Sequence, residues 1–463
     1  MEQQFSNIYF LGIGGIGMSA IARYFLHEGY AVAGYDLTAT PLTRALEAEG
    51  ASVHYDDNPD LIPDAMRNPE NTLVVLTPAI PHDHKEWAWL REQGFTIEKR
   101  SQMLGHLSVG KLVMAVAGTH GKTTTSTLAS WLNHCTGLGS AFLGGISRNF
   151  ASNLVLGEGR RLVVEADEYD RSFLRLHPDV AVITATDADH LDIYGTPEAM
   201  VKAFEEFASQ IKEGGALIIK QGVVIDYDTT ARQIYRYSCD KGGDFHAENI
   251  ELIEGGHYRY DIVLPDGRIE GCRLGILGKI HIENSIAAVA MLWAAARIEG
   301  KEFDKDAVRR GLDSFEGVKR RMEVYLNTPE QVYIDDYAHH PEELRATMTS
   351  LRDIFPNRKI TAVFQPHLYT RTRDFATEFS EVLSMADRVL MVPIYPAREL
   401  PIEGVTSELI GRNLTTEWQM VERDDIASIL KGLDTDVVVP FGAGNIDVVC
   451  SAVAETLRAK CNR

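Results

Sequence analysis

Gly118-Thr-His-Gly-Lys-Thr-Thr124 follows the apolar run Leu112–Ala117 and opens a helix-like stretch through Leu132. Backbone amides in such a loop, with the Lys122 ammonium, cradle the β- and γ-phosphates of a nucleotide, and the Thr123 hydroxyl reaches a magnesium ion. Only two residues separate Gly118 from Gly121, fewer than in the usual G-x-x-x-x-G-K-[ST] loop. The strand before it and the helix after it still make ATP the expected ligand of Gly118, Thr119, His120, Gly121, Lys122, Thr123 and Thr124. Two more apolar runs end in groups suited to a hard cation. Leu162-Val-Val164 enters Glu165-Ala-Asp-Glu-Tyr-Asp170, and Val180–Thr184 leads to Asp187, Asp189 and His190. Strand ends gather on the carboxyl edge of a parallel sheet, so Thr123, Glu165 and His190 are expected to converge on Mg2+. Glu168 and Asp170 read instead as an exposed acidic loop.

Gly12-Ile-Gly-Gly-Ile-Gly17 holds a second glycine pattern, G-x-G-x-x-G, between an apolar run and a helical one. Gly12, Gly14, Gly15 and Gly17 permit a tight turn and close approach of a diphosphate to a helix start. Asp36, at the end of the next strand-like run, is placed to accept a bond from a ribose hydroxyl. This pattern alone fits a nicotinamide-dependent oxidoreductase as well as a sugar-nucleotide enzyme. Farther on, Ile334-Asp-Asp-Tyr-Ala-His-His-Pro341 sets two carboxylates and two imidazoles after a strand-like run. Phe364-Gln-Pro-His-Leu-Tyr-Thr-Arg-Thr-Arg-Asp374 does the same with His367, Arg371 and Arg373. Arginine forks suit carboxylates, so these three are the candidates for an anionic substrate. The paired histidines lack further ligands at zinc spacing.

The elements that must hold these groups alternate between strand and helix. Asn7–Leu11, Ala31–Tyr35 and Thr72–Leu76 suggest an open parallel sheet up to about residue 108. Leu162–Val164, Val180–Thr184 and Ala216–Ile219 extend a second sheet from Leu112, and the short alternating runs of 244–277 predict antiparallel strands there. Val332–Ile334, Ile360–Phe364, Val389–Val392 and Val437–Phe441 form a third set, with Pro341 opening a helix over Glu342–Leu351. The expected fold is α/β in three domains, at 1–108, 109–318 and 319–463. The first and third are Rossmann-like, and the middle one is a P-loop ATPase-type domain with some antiparallel strands.

The composition narrows the function. In 463 residues, 66 acidic against 46 basic side chains give a formal charge of −20, a field that disfavours nucleic acid. The five cysteines lack C-x-x-C spacing and read as reduced thiols of a cytoplasmic protein. No apolar run is long enough to insert in a membrane, and no signal core follows the N-terminus.

The succession G-x-G-x-x-G, A-G-T-H-G-K-T-T-T, E-A-D-E, D-H-L-D and D-D-Y-A-H-H-P resembles the Mur ligases of peptidoglycan synthesis, over essentially the whole chain. Phe364-Gln-Pro-His367, Thr370-Arg-Thr-Arg-Asp374 and Tyr395-Pro-Ala-Arg398 resemble the branch that adds L-alanine. The branch that recycles murein tripeptide shares the central motifs, lacks this run, and stands as the alternative within the family. The resemblance implies ATP-dependent ligation of L-alanine to the lactyl carboxylate of UDP-N-acetylmuramate through an acyl phosphate. It assigns the first glycine turn to the UDP diphosphate and Lys122 to the transferring phosphoryl, with Thr123, Glu165 and His190 at magnesium. Asn284 is then the adenine contact, and Arg321 and Asp336 reach the nucleotide phosphates and ribose. His281 and Ala185 depart from the family pattern, each standing where an asparagine is usual. Sites spread over three domains also imply compaction on ligand binding. Outside the family, the oxidoreductase and a catalytically silent nucleotide-binding regulator remain as readings; intact Lys122, Glu165 and His190 weigh against the latter.

Overall fold

The five strands of the first sheet are the apolar runs expected of them and two shorter ones: β1 (Asn7–Leu11), β2 (Ala31–Tyr35), β3 (Ser52–His54), β4 (Thr72–Leu76) and β5 (Thr96–Lys99). All pair in parallel, in the order β3-β2-β1-β4-β5. Every residue of β1 is buried because helices cover both faces. Ile8 and Phe10 pack with Met18 and Ile21 of α1 (Ile16–His27), Leu46 of α2 (Pro41–Ala48) and Met103 of α4 (Arg100–Leu107). Tyr9 and Leu11 pack with Leu90 of α3 (Lys85–Glu92) on the other side. The strand order reverses at β1, and the glycine turn leaves the sheet there, at the point where open α/β sheets take ligands. Gly12 has φ +86°, and a Cβ on it would lie 2.4 Å from Thr77 Cγ2, so only glycine fits.

The second sheet has ten strands. They are β6 (Leu112–Ala117), β7 (Ser140–Ser147), β8 (Ser152–Val155), β9 (Arg161–Glu165), β10 (Val180–Ile183), β11 (Ala216–Lys220), β12 (Gln233–Ser238), β13 (Phe245–Leu252), β14 (Tyr258–Leu264) and β15 (Gly267–Arg273). Their order is β15-β14-β13-β12-β11-β10-β6-β9-β7-β8. β6 is fully buried between β9 and β10, parallel to both. β7 and β8 form an antiparallel hairpin at one edge. Pro265 and Asp266 alone join β14 to β15, a connection too short for anything but antiparallel neighbours. The helices are α5 (Lys122–Cys135), α6 (Leu191–Tyr194), α7 (Pro197–Ser209), α8 (Ile280–Glu299) and α9 (Lys305–Asp313).

Two polar links tie distant parts of this region. Buried Asn153, in β8, donates to the Ile16 carbonyl at 2.5 Å and to Ser19 at 2.9 Å and accepts from Arg23, gripping the first turns of α1. Arg161, 4% exposed at the start of β9, pairs with Glu299 at the end of α8 at 2.8 Å and donates to Asn133.

The third sheet comprises β16 (Glu323–Asn327), β17 (Val332–Asp335), β18 (Ile360–Phe364), β19 (Arg388–Met391), β20 (Glu417–Met420) and β21 (Val437–Phe441), in the order β16-β17-β21-β18-β19-β20. Only the edge pair β16–β17 is antiparallel among its recorded pairs. Pro341 opens α10 (Pro341–Ile354) as expected, behind an N-cap at His340 whose amide donates to Glu343. α11 (Tyr369–Asp374) and α12 (Ala376–Leu383) follow β18. The expected mixed α/β architecture of three domains is borne out. This computed structural model describes residues 5–137, 139–187, 191–226, 233–397 and 399–461. The chain divides into two units, Met1–Glu248 with Ile262–Ile269 and Asn284–Leu312, and Asn249–Asp261 with Glu270–Glu283 and Asp313–Arg463.

Candidate active site

In the first unit, the phosphate loop joins β6 to α5 and passes through two positive-φ glycines, Gly118 (+128°) and Gly121 (+79°). A Cβ on Gly118 would meet Thr184 Oγ1 at 2.2 Å, and one on Gly121 would meet Asn284 Oδ1 at 2.9 Å. The loop is therefore pressed between β10 and α8. Thr184 donates to the His120 carbonyl at 2.5 Å, and Thr119 accepts from the Asp187 amide at 3.2 Å. Asn284 accepts from Thr125 at 3.3 Å, behind the loop. Lys122 Nζ donates to the Gly118 carbonyl at 2.7 Å and to Glu168 Oε1 at 2.8 Å. Burial alone would favour the neutral amine, but the Glu168, Asp167 and Glu165 carboxylates outweigh it and raise the Lys122 pKa. Thr123 Oγ1 donates to Glu165 Oε1 at 3.1 Å, and Ser126 to Glu165 Oε2 at 3.4 Å. The Glu165 carboxylate lies against β7, where a Cβ on Gly144 would sit 2.3 Å from its atoms.

The first glycine turn lies in the same unit. Asp36 Oδ2 accepts the Gly14 amide N–H at 2.7 Å, and Oδ1 accepts that of Thr38 at 3.2 Å. The carboxylate expected to meet a ribose thus holds the turn itself. Gly17 faces Arg100, whose Nη1 would be 2.5 Å from a Cβ there. Arg100 also pairs with Asp167 at 3.3 Å and donates to Ser172 at 3.2 Å. A narrow pocket of about 80 Å3 is lined by Gly17, Arg100, Gly144, Glu165 and Asp167 among others. It runs from the glycine turn to the phosphate loop's carboxylate.

The second unit holds the remaining candidates. Asp336 is buried and accepts from the Met322 and Ala338 amides at 3.1 and 2.8 Å and from Thr347 at 3.1 Å. Its carboxylate fixes the sharp entry to β16, where Arg320 and Met322 both have positive φ. Arg321 lies 5.0 Å over the Tyr337 ring and 3.9 Å from Glu343. His367 stacks on Tyr395 at 5.9 Å, stands 5.9 Å from the His339 ring and lies 3.5 Å from Arg371 Nη1. Burial and the Arg371 and Arg321 cations push His339 down to about 4, against the opposing pull of Glu343. Arg373 is apart from this group. It is half exposed and paired with Asp374 at 2.7 Å, because residues two apart on a helix point to different sides.

The chain matches the Mur ligase family, catalytic domain over residues 7–111, the Mur ligase middle domain over 116–292 and the Mur ligase, glutamate ligase domain over 320–444. It is 47% identical over 459 residues to a UDP-N-acetylmuramate–L-alanine ligase of Phocaeicola vulgatus, covering 98% of each chain. The chain belongs to the Mur ligase family. Among solved structures, the UDP-N-acetylmuramate–alanine ligase of Thermotoga maritima is 26% identical with a TM-score of 0.82, covering 98% of this chain and 99% of that one. A murein peptide ligase of Psychrobacter arcticus, 22% identical with a TM-score of 0.68 over 98% of both chains, shares the fold. The oxidoreductase alternative has no support among these likenesses.

For a Mur ligase, the oxygen donors Thr123 and Glu165 beside a phosphate loop fit magnesium, which prefers one or two carboxylates plus phosphate and water. Among the described residues no cluster of three or more His, Cys, Asp or Glu could hold a metal by itself. His190, the third expected ligand, lies outside the described residues, as does Arg398. Two residues beside these candidates escape a reading of the sequence. Glu168, expected in an exposed loop, is fully buried against Lys122. Arg100 sits in no motif; it follows Lys99 at the end of β5, and nothing in the sequence marks it out. His281, at the departure from the family pattern, is buried and pushed down to about 4 by burial and the Arg321 cation, so it stands there as a neutral imidazole.

Proposed function

We propose that this Mur ligase joins L-alanine to the lactyl carboxylate of UDP-N-acetylmuramate, with cleavage of ATP to ADP and phosphate, in peptidoglycan precursor synthesis. The observation that carries the reading is the pocket from Gly17 and Arg100 to Glu165. It puts a sugar-nucleotide turn and a phosphate loop at the two ends of one short path, as carboxyl activation requires. The near-full-length relative supplies the acceptor, L-alanine.

A carboxylate is a poor electrophile, so its oxygen must first become a leaving group. The lactyl carboxylate attacks the γ-phosphate, and the amine of L-alanine then displaces phosphate from the acyl phosphate. The protein's part is positioning and neutralisation of charge. The glycine turn takes the UDP diphosphate at the start of α1: Gly12 and Gly17 admit Thr77 and Arg100 where a Cβ would clash, Gly15 leaves space, Asp36 holds the turn through Gly14, and Arg100 offers a cation beside it. Lys122 neutralises the transferring phosphoryl. Thr123 and Glu165, with His190, would hold Mg2+, and the ion would supply positive charge to the phosphate oxygens. Gly118, Thr119, His120, Gly121 and Thr124 wrap the phosphates, Asn284 backs the loop, and Arg321 and Asp336 keep the nucleotide roles that the family resemblance implies. His367 and Arg371 grip the alanine carboxylate. A cytoplasmic location is part of this reading, supported by five free, scattered cysteines; no described helix is long and apolar enough to cross a membrane.

Phosphate release from ATP with UDP-N-acetylmuramate and magnesium, with and without L-alanine, tests this. Release that needs both substrates is expected. Release only with the tripeptide L-alanyl-γ-D-glutamyl-meso-diaminopimelate would move the chain to the recycling branch, and no release with either acceptor would refute the ligase.

A further inference from the structure

Consecutive residues of the phosphate loop are clasped by carboxylates three apart on one segment. Glu165 takes the Thr123 hydroxyl, and Glu168 takes the Lys122 ammonium at 2.8 Å. Glu165 falls to magnesium in the reading above; Glu168 has no role there. Its side chain is fully buried. Its backbone is pinned where the chain turns after β9: the Glu168 carbonyl accepts from the Tyr194 hydroxyl at 2.7 Å and from the Arg171 amide at 2.9 Å. The carboxylate therefore comes from a fixed base rather than a loose surface loop.

An ammonium has three N–H donors and a freely rotating stem. In Lys122 one donor goes to the Gly118 carbonyl and a second to Glu168. Two fixed acceptors of different kind leave one direction for the third donor. We propose that Glu168 is a positioning residue of the ligation: with Gly118 it orients the Lys122 ammonium so that its remaining N–H meets the transferring phosphoryl group. This rests on the ligase reading of the loop. Glu168 itself does not touch ATP, and its negative charge beside the triphosphate opposes nucleotide binding. Orientation and affinity are thus predicted to move in opposite directions when the charge is removed.

The test is Glu168→Gln, with Glu168→Asp and Lys122→Ala alongside, each checked for a cooperative melt and for UDP-N-acetylmuramate binding. Turnover is followed by phosphate release, and nucleotide affinity by calorimetry with a non-hydrolysable ATP analogue and magnesium. For Glu168→Gln we expect kcat to fall roughly tenfold to a hundredfold, with affinity for the analogue unchanged or tighter. Glu168→Asp, which keeps the charge on a shorter stem, should fall between Gln and wild type, and it carries the test if the Gln variant does not fold. A folded variant with wild-type kcat would overturn the proposal, as would an affinity loss matching that of Lys122→Ala. Absence of turnover in the wild type would refute the ligase reading instead; the affinity comparison would still decide the role of Glu168.

Discussion

Gly144→Ala tests the role proposed for the Glu165 carboxylate without replacing that residue. The added methyl would lie 2.3 Å from the Cδ and both oxygens of Glu165, whereas ordinary contact begins at 3.4 Å. The carboxylate must therefore retreat by about 1 Å, and it can, since it ends a flexible side chain. A misplacement of that size in a catalytic constellation costs roughly 100-fold in rate, or about 2.7 kcal/mol of barrier. Gly144 lies within β7 and is not among the positive-φ glycines, so Ala is tolerated by the backbone and should leave the melting temperature level or slightly higher. The assay is phosphate release across a magnesium titration, with Glu165→Ala and the double variant in parallel. We expect kcat to drop about 100-fold and the magnesium requirement to rise. The double variant should be no worse than Glu165→Ala alone, because the two changes act through one group. A folded Gly144→Ala enzyme with wild-type turnover and magnesium dependence would refute the role given to Glu165, and additive losses would refute the route through it.

Burial pushes Glu86 up to about 7 from an ordinary 4.5, although Tyr9 donates to it at 2.6 Å. The native state then holds a proton that the unfolded chain releases, so this group's stabilisation is complete below about 4.5 and lost as pH rises through about 7. Glu86→Gln should flatten the stability profile over that window by up to about 3 kcal/mol, read from urea midpoints at several pH values; an unchanged slope would count against it. Asn153→Ala strips the Ile16 carbonyl, Ser19 and Arg23 of a buried partner and should cost about 1–3 kcal/mol. Urea unfolding reads that loss, and a variant as stable as wild type would show the link to be idle.

Much of the scaffold was legible because local pattern and burial agree. β1, β2, β4, β6, β18 and β21 span the runs expected from sequence, and Pro341 opens its helix, since continuous apolar strands and helix-start signals are short-range features. What escaped depends on partners far along the chain. The hairpin β7–β8 was not foreseen: its core side is supplied partly by α1, whose link through Asn153 spans more than a hundred residues. Glu168 sits in an acidic run that by itself signals a solvated loop, whereas its ion-pair partner Lys122 lies 46 positions earlier. Asp36 was rightly placed at the strand end, but a carboxylate there satisfies the Gly14 amide before any ribose arrives. Arg373 shares a motif with Arg371, yet the helix turns the two apart.

The pairing of Arg161 with Glu299 also bears on how the protein is made. Synthesis runs from the N-terminus, so Arg161 of β9 is added while its charge partner is still 138 residues away. A guanidinium buried without its carboxylate is strongly disfavoured. We therefore expect β9 to stay unsettled on the ribosome until α8 has cleared the exit tunnel, which leaves the phosphate loop without a firm neighbouring strand. Stalled nascent chains of increasing length, probed by brief proteolysis, should gain protection at β9 only after Glu299 is exposed. Protection in shorter chains would mean that Arg161 finds another partner first. On this view the nucleotide site is withheld until most of the chain exists, and premature termination products are open to degradation before they sequester ATP.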